Sequence, residues 1–306
     1  MRPPDEIDIR LMQELASPAS YRWNINEPLS SMAKKLNVDE DTVRRRLKRI
    51  HKGGLIRGYH LIPNPHLLGL KASEVDQLSS VPKDSVIPQL MLLDGVILLI
   101  DFHGSGIRIL LYYKSEEELS RKNQLIRSIC GSGDQVSWKD SFPPCDLKLK
   151  ETDWRILMAL RKDARRGLSE VAEQIGVSVR TVRRRIEVMT EGKAFFLLPL
   201  PDFTKVASVL CNFRVYCPDE KSKRGVDERL RAGLKKVLFS KTSMKDYSLY
   251  TVLCDNLEEA ERTRSWIESM AGVQGVWSGF SKRLIPVTAW LDEVVVSRLE
   301  RSRSHA

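Results

Sequence analysis

Apolar residues recur at helical spacing in three short runs near the start of the chain: Ile7, Leu11, Met12 and Leu15, then Met32, Ala33 and Leu36, then Val43, Leu47 and Ile50. Each run puts one apolar stripe on a short helix, and three such helices can bury their stripes in one small core. Asn37 stands between the second and third runs, where a residue that tolerates the left-handed conformation ends one helix in a tight turn. Asp39 then offers a side-chain oxygen to the open amides of the third helix, and Gly53 ends it. Beyond that glycine the run Leu55 to Leu61 is β-prone, which predicts a wing strand packed beside the helices.

The same pattern returns later in the chain. Leu29 to Ile56 (LSSMAKKLNVDEDTVRRRLKRIHKGGLI) aligns without a gap on Leu168 to Phe195 (LSEVAEQIGVSVRTVRRRIEVMTEGKAF). Asp8-Ile9-Arg10-Leu11-Met12 likewise matches Asp153-Trp154-Arg155-Ile156-Leu157 at a slightly larger spacing. The first copy therefore carries extra residues around Ser17 to Glu27, expected in a loop. In the second copy Gly176 takes the turn, Ser178 the helix cap, Gly192 the end and Ala194 to Leu198 the strand. The Ser141-Phe142-Pro143-Pro144 stretch marks the junction, because consecutive prolines continue neither a helix nor a central strand.

After each helical block the periodicity alternates between strand and helix. The first tail predicts strand 71–78, helix 84–93, strands 96–102 and 107–113, helix 116–130 and strand 135–139. The second predicts strand 208–216, helix 226–236, strands 237–243 and 248–254, helix 257–270 and strand 275–281. Both tails are βαββαβ. The fold class is thus α+β: two winged helix-turn-helix domains, each followed by a ferredoxin-like sheet domain. The expected boundaries are 1–62, 63–145, 146–200 and 201–306. The last domain ends in a helix with Val287, Trp290, Leu291, Val294, Val295 and Leu299 on one side, predicted to pack on its own domain or, as a second reading, against another copy.

Charge adds a partner to this picture. Fifty Lys and Arg against forty Asp and Glu leave the chain at +10, a balance that favours an acidic partner such as nucleic acid. Viewed down the third helix of the first copy, Arg44, Arg45, Lys48, Arg49 and Lys52 cover the outward arc and Arg46 lies at its margin. In the second copy Arg180, Thr181, Arg183, Arg184 and Arg185 hold the corresponding early positions. A solvated helix face accounts for either charge run alone; two runs at one place in one motif point to double-stranded DNA. The copies differ, since Asp39, Glu40 and Asp41 open the first helix and repel phosphates, whereas Glu187 and Glu191 sit late in the second. The second copy is expected to read bases and the first to hold backbone phosphates.

Other chemistry is sparse. Cys130, Cys145, Cys211, Cys217 and Cys254 are odd in number and lack paired spacing, so neither a disulfide framework nor a zinc site is expected. No cofactor is called for. Apolar runs are too short for a bilayer span and the start lacks a secretory signal, which places the expected protein in the cytoplasm.

The blocks Asp8-Ile9-Arg10-Leu11, Met32-Ala33-Lys34-Lys35-Leu36, Thr42-Val43-Arg44-Arg45-Arg46-Leu47 and Gly53-Gly54-Leu55-Ile56, with Ile175-Gly176-Val177-Ser178 and Thr181-Val182-Arg183-Arg184-Arg185-Ile186, resemble the leucine-responsive regulator family, Lrp/AsnC. The tails match the family's RAM sensing domain in order of elements more than in residues. The resemblance implies a transcriptional regulator, with two units in one chain looking like a fused dimer suited to an asymmetric DNA site. It also implies a small-molecule effector, such as an amino acid, near the turn between the middle strands, here His103-Gly104-Ser105-Gly106. A hairpin that needs glycine for its geometry is the favoured explanation of that turn. Homo-oligomers are a further expectation.

Two other readings stay open at this stage. Siroheme decarboxylases resemble the same family, and a tetrapyrrole enzyme would draw on His60, His66 and His103. An RNA-binding or scaffolding pair of winged helices is the third, because a fold does not fix a function.

Overall fold

The computed structural model describes residues 4–16, 27–53, 55–140, 142–202, 208–242, 244 and 247–304. The loop expected around residues 17–26 lies outside them, as do Gly54, Ser141, Lys245 and Asp246. The first three helices are α1 (Glu6–Ala16), α2 (Leu29–Leu36) and α3 (Glu40–Lys52), followed by strand β1 (Ile56–Pro63). The same order returns as α6 (Glu151–Leu160), α7 (Leu168–Ile175), α8 (Val179–Glu191) and β6 (Phe195–Pro201).

The local chemistry of these blocks is the one their sequences dictate. Asn37 adopts φ 54° and Gly176 φ 69° at the ends of α2 and α7. Asp39 accepts the Thr42 amide and Ser178 the Thr181 amide, so α3 and α8 each begin on a side-chain cap. Met32, Val43 and Ile50 in the first copy, and Val171, Val182 and Met189 in the second, are buried. Each such aliphatic side chain contributes roughly 1.5–3 kcal/mol by leaving water.

The strand after each block is not a free wing. β1 and β6 pair with each other in a two-stranded sheet. The pairing follows from backbone accounting: a lone wing strand leaves one edge of amides and carbonyls to water, and a second strand of matching length satisfies it.

The tails run β2 (Lys71–Leu78), α4 (Lys83–Leu90), β3 (Val96–Phe102), β4 (Gly106–Tyr113), α5 (Glu116–Cys130) and β5 (Gln135–Asp140), then β7 (Val209–Tyr216), α9 (Glu220–Gly233), β8 (Val237–Lys241), β9 (Tyr247–Cys254), α10 (Leu257–Glu268) and β10 (Gly275–Pro286). The strand orders are β5-β2-β4-β3 and β10-β7-β9-β8, and the pairings within each are antiparallel. In both, the first and third strands of the βαββαβ unit lie in the middle, the ferredoxin-like arrangement. Helix α11 (Ala289–Ser304) ends the described chain.

The chain condenses into two compact units that do not follow its order. One takes in the described residues up to Gly58 and those between Pro199 and Arg283; the other takes in the described residues from Tyr59 to Leu198 and from Leu284 onward. In the first unit α1–α3 fold with β7–β10, and Gln13 of α1 donates its side-chain amide to the Val237 carbonyl. Its sheet core gathers Cys211, Phe213, Val226, Leu230, Val252 and Ile267. In the second unit β2–β5 fold with α6–α8, and Val75, Val86, Leu99, Ile109 and Ile126 belong to the core.

Helix α11 corrects one expectation. It packs on α6 in the second unit rather than on residues 208–283. Leu291 and Val295 are buried, Arg161 of α6 pairs with Asp292 at 2.6 Å, and Arg298 donates to the Leu68 carbonyl at 2.7 Å. Helical spacing names an apolar face without naming what covers it.

A lysine repeats between the two sheet domains. Lys83 donates to Asp101 and to the Phe102 carbonyl at the end of β3. Lys223 donates to the Thr242 carbonyl just beyond β8 at 2.6 Å and to Asp227 at 3.0 Å. Tyr250 donates to the other Asp227 oxygen at 2.8 Å, and burial, then this hydrogen bond, pushes its phenol well above the ordinary range. The carboxylate partner sits on the strand in one domain and on the helix in the other.

Candidate nucleic-acid interface

The candidate residues lie on two helices, one in each unit. On α8, Val182, Ile186 and Met189 face the core and fix its rotation. Arg180, Arg183 and Arg184 are then fully on the outside, and none of them has an ion-pair partner among the described residues. Thr181 is held at the start of the helix, its amide and hydroxyl both meeting the Ser178 hydroxyl at 3.1 and 2.9 Å. The result is a cationic first turn and a half, presented by a capped helix whose N-terminal dipole adds to the positive potential.

Arg185, the third of the run, does something else. Its guanidinium grips Asp153 of α6 with two parallel hydrogen bonds of 2.5 and 2.6 Å. Asp153 is wholly buried, and the Asp153 hydrogen bond raises the Arg185 pKa above its ordinary value. This bidentate pair is a structural rivet between α8 and α6. It corrects the expectation that Arg185 faces DNA.

The first copy repeats the rivet with more parts. Arg46 reaches Asp5 at 2.5 Å and Asp8 at 3.0 Å, and Arg49 also pairs with Asp8. Burial pushes the Asp5 carboxyl up, but the Arg46 hydrogen bond and charge outweigh this and hold it below its usual range. Arg46 is therefore engaged in the fold as Arg185 is. Arg44 pairs with Asp41 across one turn, so the acidic start of α3 neutralises its first arginine. Arg45 bonds to the Asp41 carbonyl at 3.4 Å and the Thr42 hydroxyl at 3.0 Å. Lys48 and Lys52 are exposed late in the helix.

Sequence patterning passed over Asp8 and Asp153 as functional neighbours of the arginines. The signal was present: both stand in the repeated Asp-x-Arg block, one helix away from the third arginine of each run.

His103, Gly104 and Ser105 form an exposed turn between β3 and β4, with Gly104 at φ 77° and the Ser105 carbonyl accepting the Ser79 amide at 3.0 Å. His51 and His66 are exposed too; His60 is half-buried, and burial, then the neighbouring Arg161 charge, lowers its pKa. Among the described residues no group of three His, Cys, Asp or Glu side chains is placed to hold a metal ion, and no helix is long and apolar enough to cross a membrane.

Helices α6–α8 thus form a three-helix motif with a capped, cationic third helix, and residues 149–190 match the AsnC-type helix-turn-helix domain. The chain is also 28% identical over 102 residues to the HTH-type transcriptional regulator Ptr1 of Methanocaldococcus jannaschii, a match covering 33% of this chain and 65% of that regulator. Among solved structures, the siroheme decarboxylase NirDL aligns over 96% of this chain and 99% of its own with a TM-score of 0.56 and 15% identity. Its complex with an iron-uroporphyrin III analogue aligns over 95% and 99%, with a TM-score of 0.53 and 16% identity. The likeness to these two structures is one of fold.

Proposed function

We propose that this chain is a sequence-selective DNA-binding regulator of the Lrp/AsnC type, arisen by tandem duplication, that reads bases chiefly through α8. The observation that carries the reading is the division of labour on one helix: Arg185 is locked onto Asp153, while Arg180, Arg183 and Arg184 stand exposed and, among the described residues, without ion-pair partners. Arginines in that state can take the bidentate position on guanine that a recognition helix uses. The match of residues 149–190 to the AsnC-type domain and the relation to a transcriptional regulator support it. The proposal extends to a small-molecule effector at the His103–Gly106 turn, supported by the family resemblance and by the turn's exposure. The test is retention of sheared genomic DNA by the purified chain at about 150 mM salt, with Arg183→Ala/Arg184→Ala in parallel. Enriched sites that vanish in the double variant are the expected result. Retention without any enrichment removes the base-reading role of α8.

A second reading, a tetrapyrrole decarboxylase, is favoured by the fold likeness to NirDL over nearly the whole chain. Half-buried His60, whose Nδ1 is buried with no hydrogen-bond partner among the described residues, is its best candidate group. Titration with iron-uroporphyrin III decides it: a saturable shift of the porphyrin absorbance that His60→Ala abolishes supports the enzyme, and an unchanged spectrum removes it.

A further inference from the structure

We propose that α3 of the first copy carries a seat for a single phosphate group, built from Thr42, Arg45, Arg46 and Arg49. These four residues line one cleft of about 300 Å3. Their spacing along the helix, three, four and seven residues from Thr42, sets them on one face as successive neighbours. The seat is held from below. Asp8, which is 1% exposed, accepts from Arg46 and Arg49, and Asp5 accepts a second bond from Arg46. Two guanidiniums are thereby fixed in place before any ligand arrives, which removes much of the side-chain entropy that a loose arginine loses on binding. Arg45 leans on the Thr42 hydroxyl at 3.0 Å and supplies a third guanidinium.

The donor geometry selects the ligand. Three guanidiniums meet at the cleft, two of them held by Asp5 and Asp8 and the third beside Asp39, which accepts the Thr42 hydroxyl at 2.8 Å, and guanidinium forks match the tetrahedral oxygens of phosphate. The second copy lacks the seat because Val188 stands where the first has Arg49. Thr181, Arg184 and Arg185 keep the other three positions, and Arg185 is closed on Asp153 by both of its bonds. The seat therefore distinguishes the copies: α8 presents the exposed Arg180, Arg183 and Arg184, and α3 presents a prearranged anion site.

The phosphate can belong to a nucleic-acid backbone or to a free phosphate-bearing molecule. The backbone source rests on the DNA-binding reading above, whereas the seat itself does not. Two measurements on the full chain separate these. In the first, inorganic phosphate is titrated at constant ionic strength maintained with chloride, and the thermal midpoint is followed. A ligand that binds only the folded state raises that midpoint, so the expected result is a rise with phosphate beyond chloride that is largely lost in Arg45→Gln. That variant removes a lining charge that bonds to the Asp41 carbonyl and the Thr42 hydroxyl, which leaves the Asp5 and Asp8 pairs intact. In the second, affinity for a non-specific DNA duplex is measured against salt. A slope reduced by about 1 in Arg45→Gln assigns the seat to a backbone phosphate, and an unchanged slope alongside the phosphate effect assigns it to a free phosphate. No midpoint rise beyond chloride, or an equal rise in Arg45→Gln, overturns the seat. Failure of the DNA-binding reading is scored separately, through Arg183 and Arg184, which line no part of this cleft.

Discussion

Within one run of three arginines, neighbouring residues of identical type hold different jobs because 100° of helix rotation separates them. Arg184 faces water; Arg185 faces α6 and meets a carboxylate that is wholly buried. The two positions should part company in a stability measurement. Arg185→Ala leaves the Asp153 charge buried without its bidentate partner, a change that costs about 3–5 kcal/mol when a buried pair loses one member. Arg184→Ala touches an exposed side chain and should stay within about 0.5 kcal/mol of wild type. Urea unfolding of both variants checks this, and equal midpoints would show that the Asp153 rivet contributes nothing to the fold. The same reasoning makes Arg185 a poor choice for testing DNA contact, since a loss of binding would report a loosened helix.

At the level of elements, what the sequence disclosed was whatever local chemistry decides. Asn37 and Gly176 sit left-handed where a turn between helices needs them, and Asp39 and Ser178 cap the helices that follow. Strands β2 and β3 and helix α5 run over the residues that their periodicity marks. Helix α9 begins at Glu220, earlier than its apolar period, because Asp219 caps it and its first turn is polar. The misjudged elements are those whose partners are remote in the chain. β1 and β6 each looked like a wing, yet strand pairing is non-local and no property of either strand names the other. The candidate site was legible to the same extent: helical phase placed Arg180, Arg183 and Arg184 outward, while the tethering of Arg46 and Arg185 required knowing that Asp8 and Asp153 lie opposite them.

The division of the whole molecule follows from those remote pairings. In one compact unit, residues from before the proline junction and residues from after it satisfy one another's backbone. Leu61 donates its amide to the Arg161 carbonyl at 3.1 Å, and Ala164 donates to Tyr59 at 3.0 Å. Asn64, wholly buried, gives its amide nitrogens to the Ala194, Pro143 and Lys193 carbonyls at 2.8 to 2.9 Å. Val287 returns from near the far end of the chain to the Ile97 carbonyl at 2.8 Å. Cutting the chain between residues 145 and 146, where the sequence alone would divide it, breaks each of these bonds except that from Asn64 to Pro143. Each buried amide or carbonyl left without a partner costs about 1–3 kcal/mol, and a few of them together rival the 5–15 kcal/mol that a domain has in hand. Fragments 1–145 and 146–306 should therefore melt non-cooperatively or aggregate when made alone, and recover cooperative unfolding when refolded together as a one-to-one pair. Calorimetry and gel filtration of the fragments, separate and mixed, provide the check. Two fragments that each melt sharply near the midpoint of the intact chain would instead restore the simple order of one self-sufficient half after another.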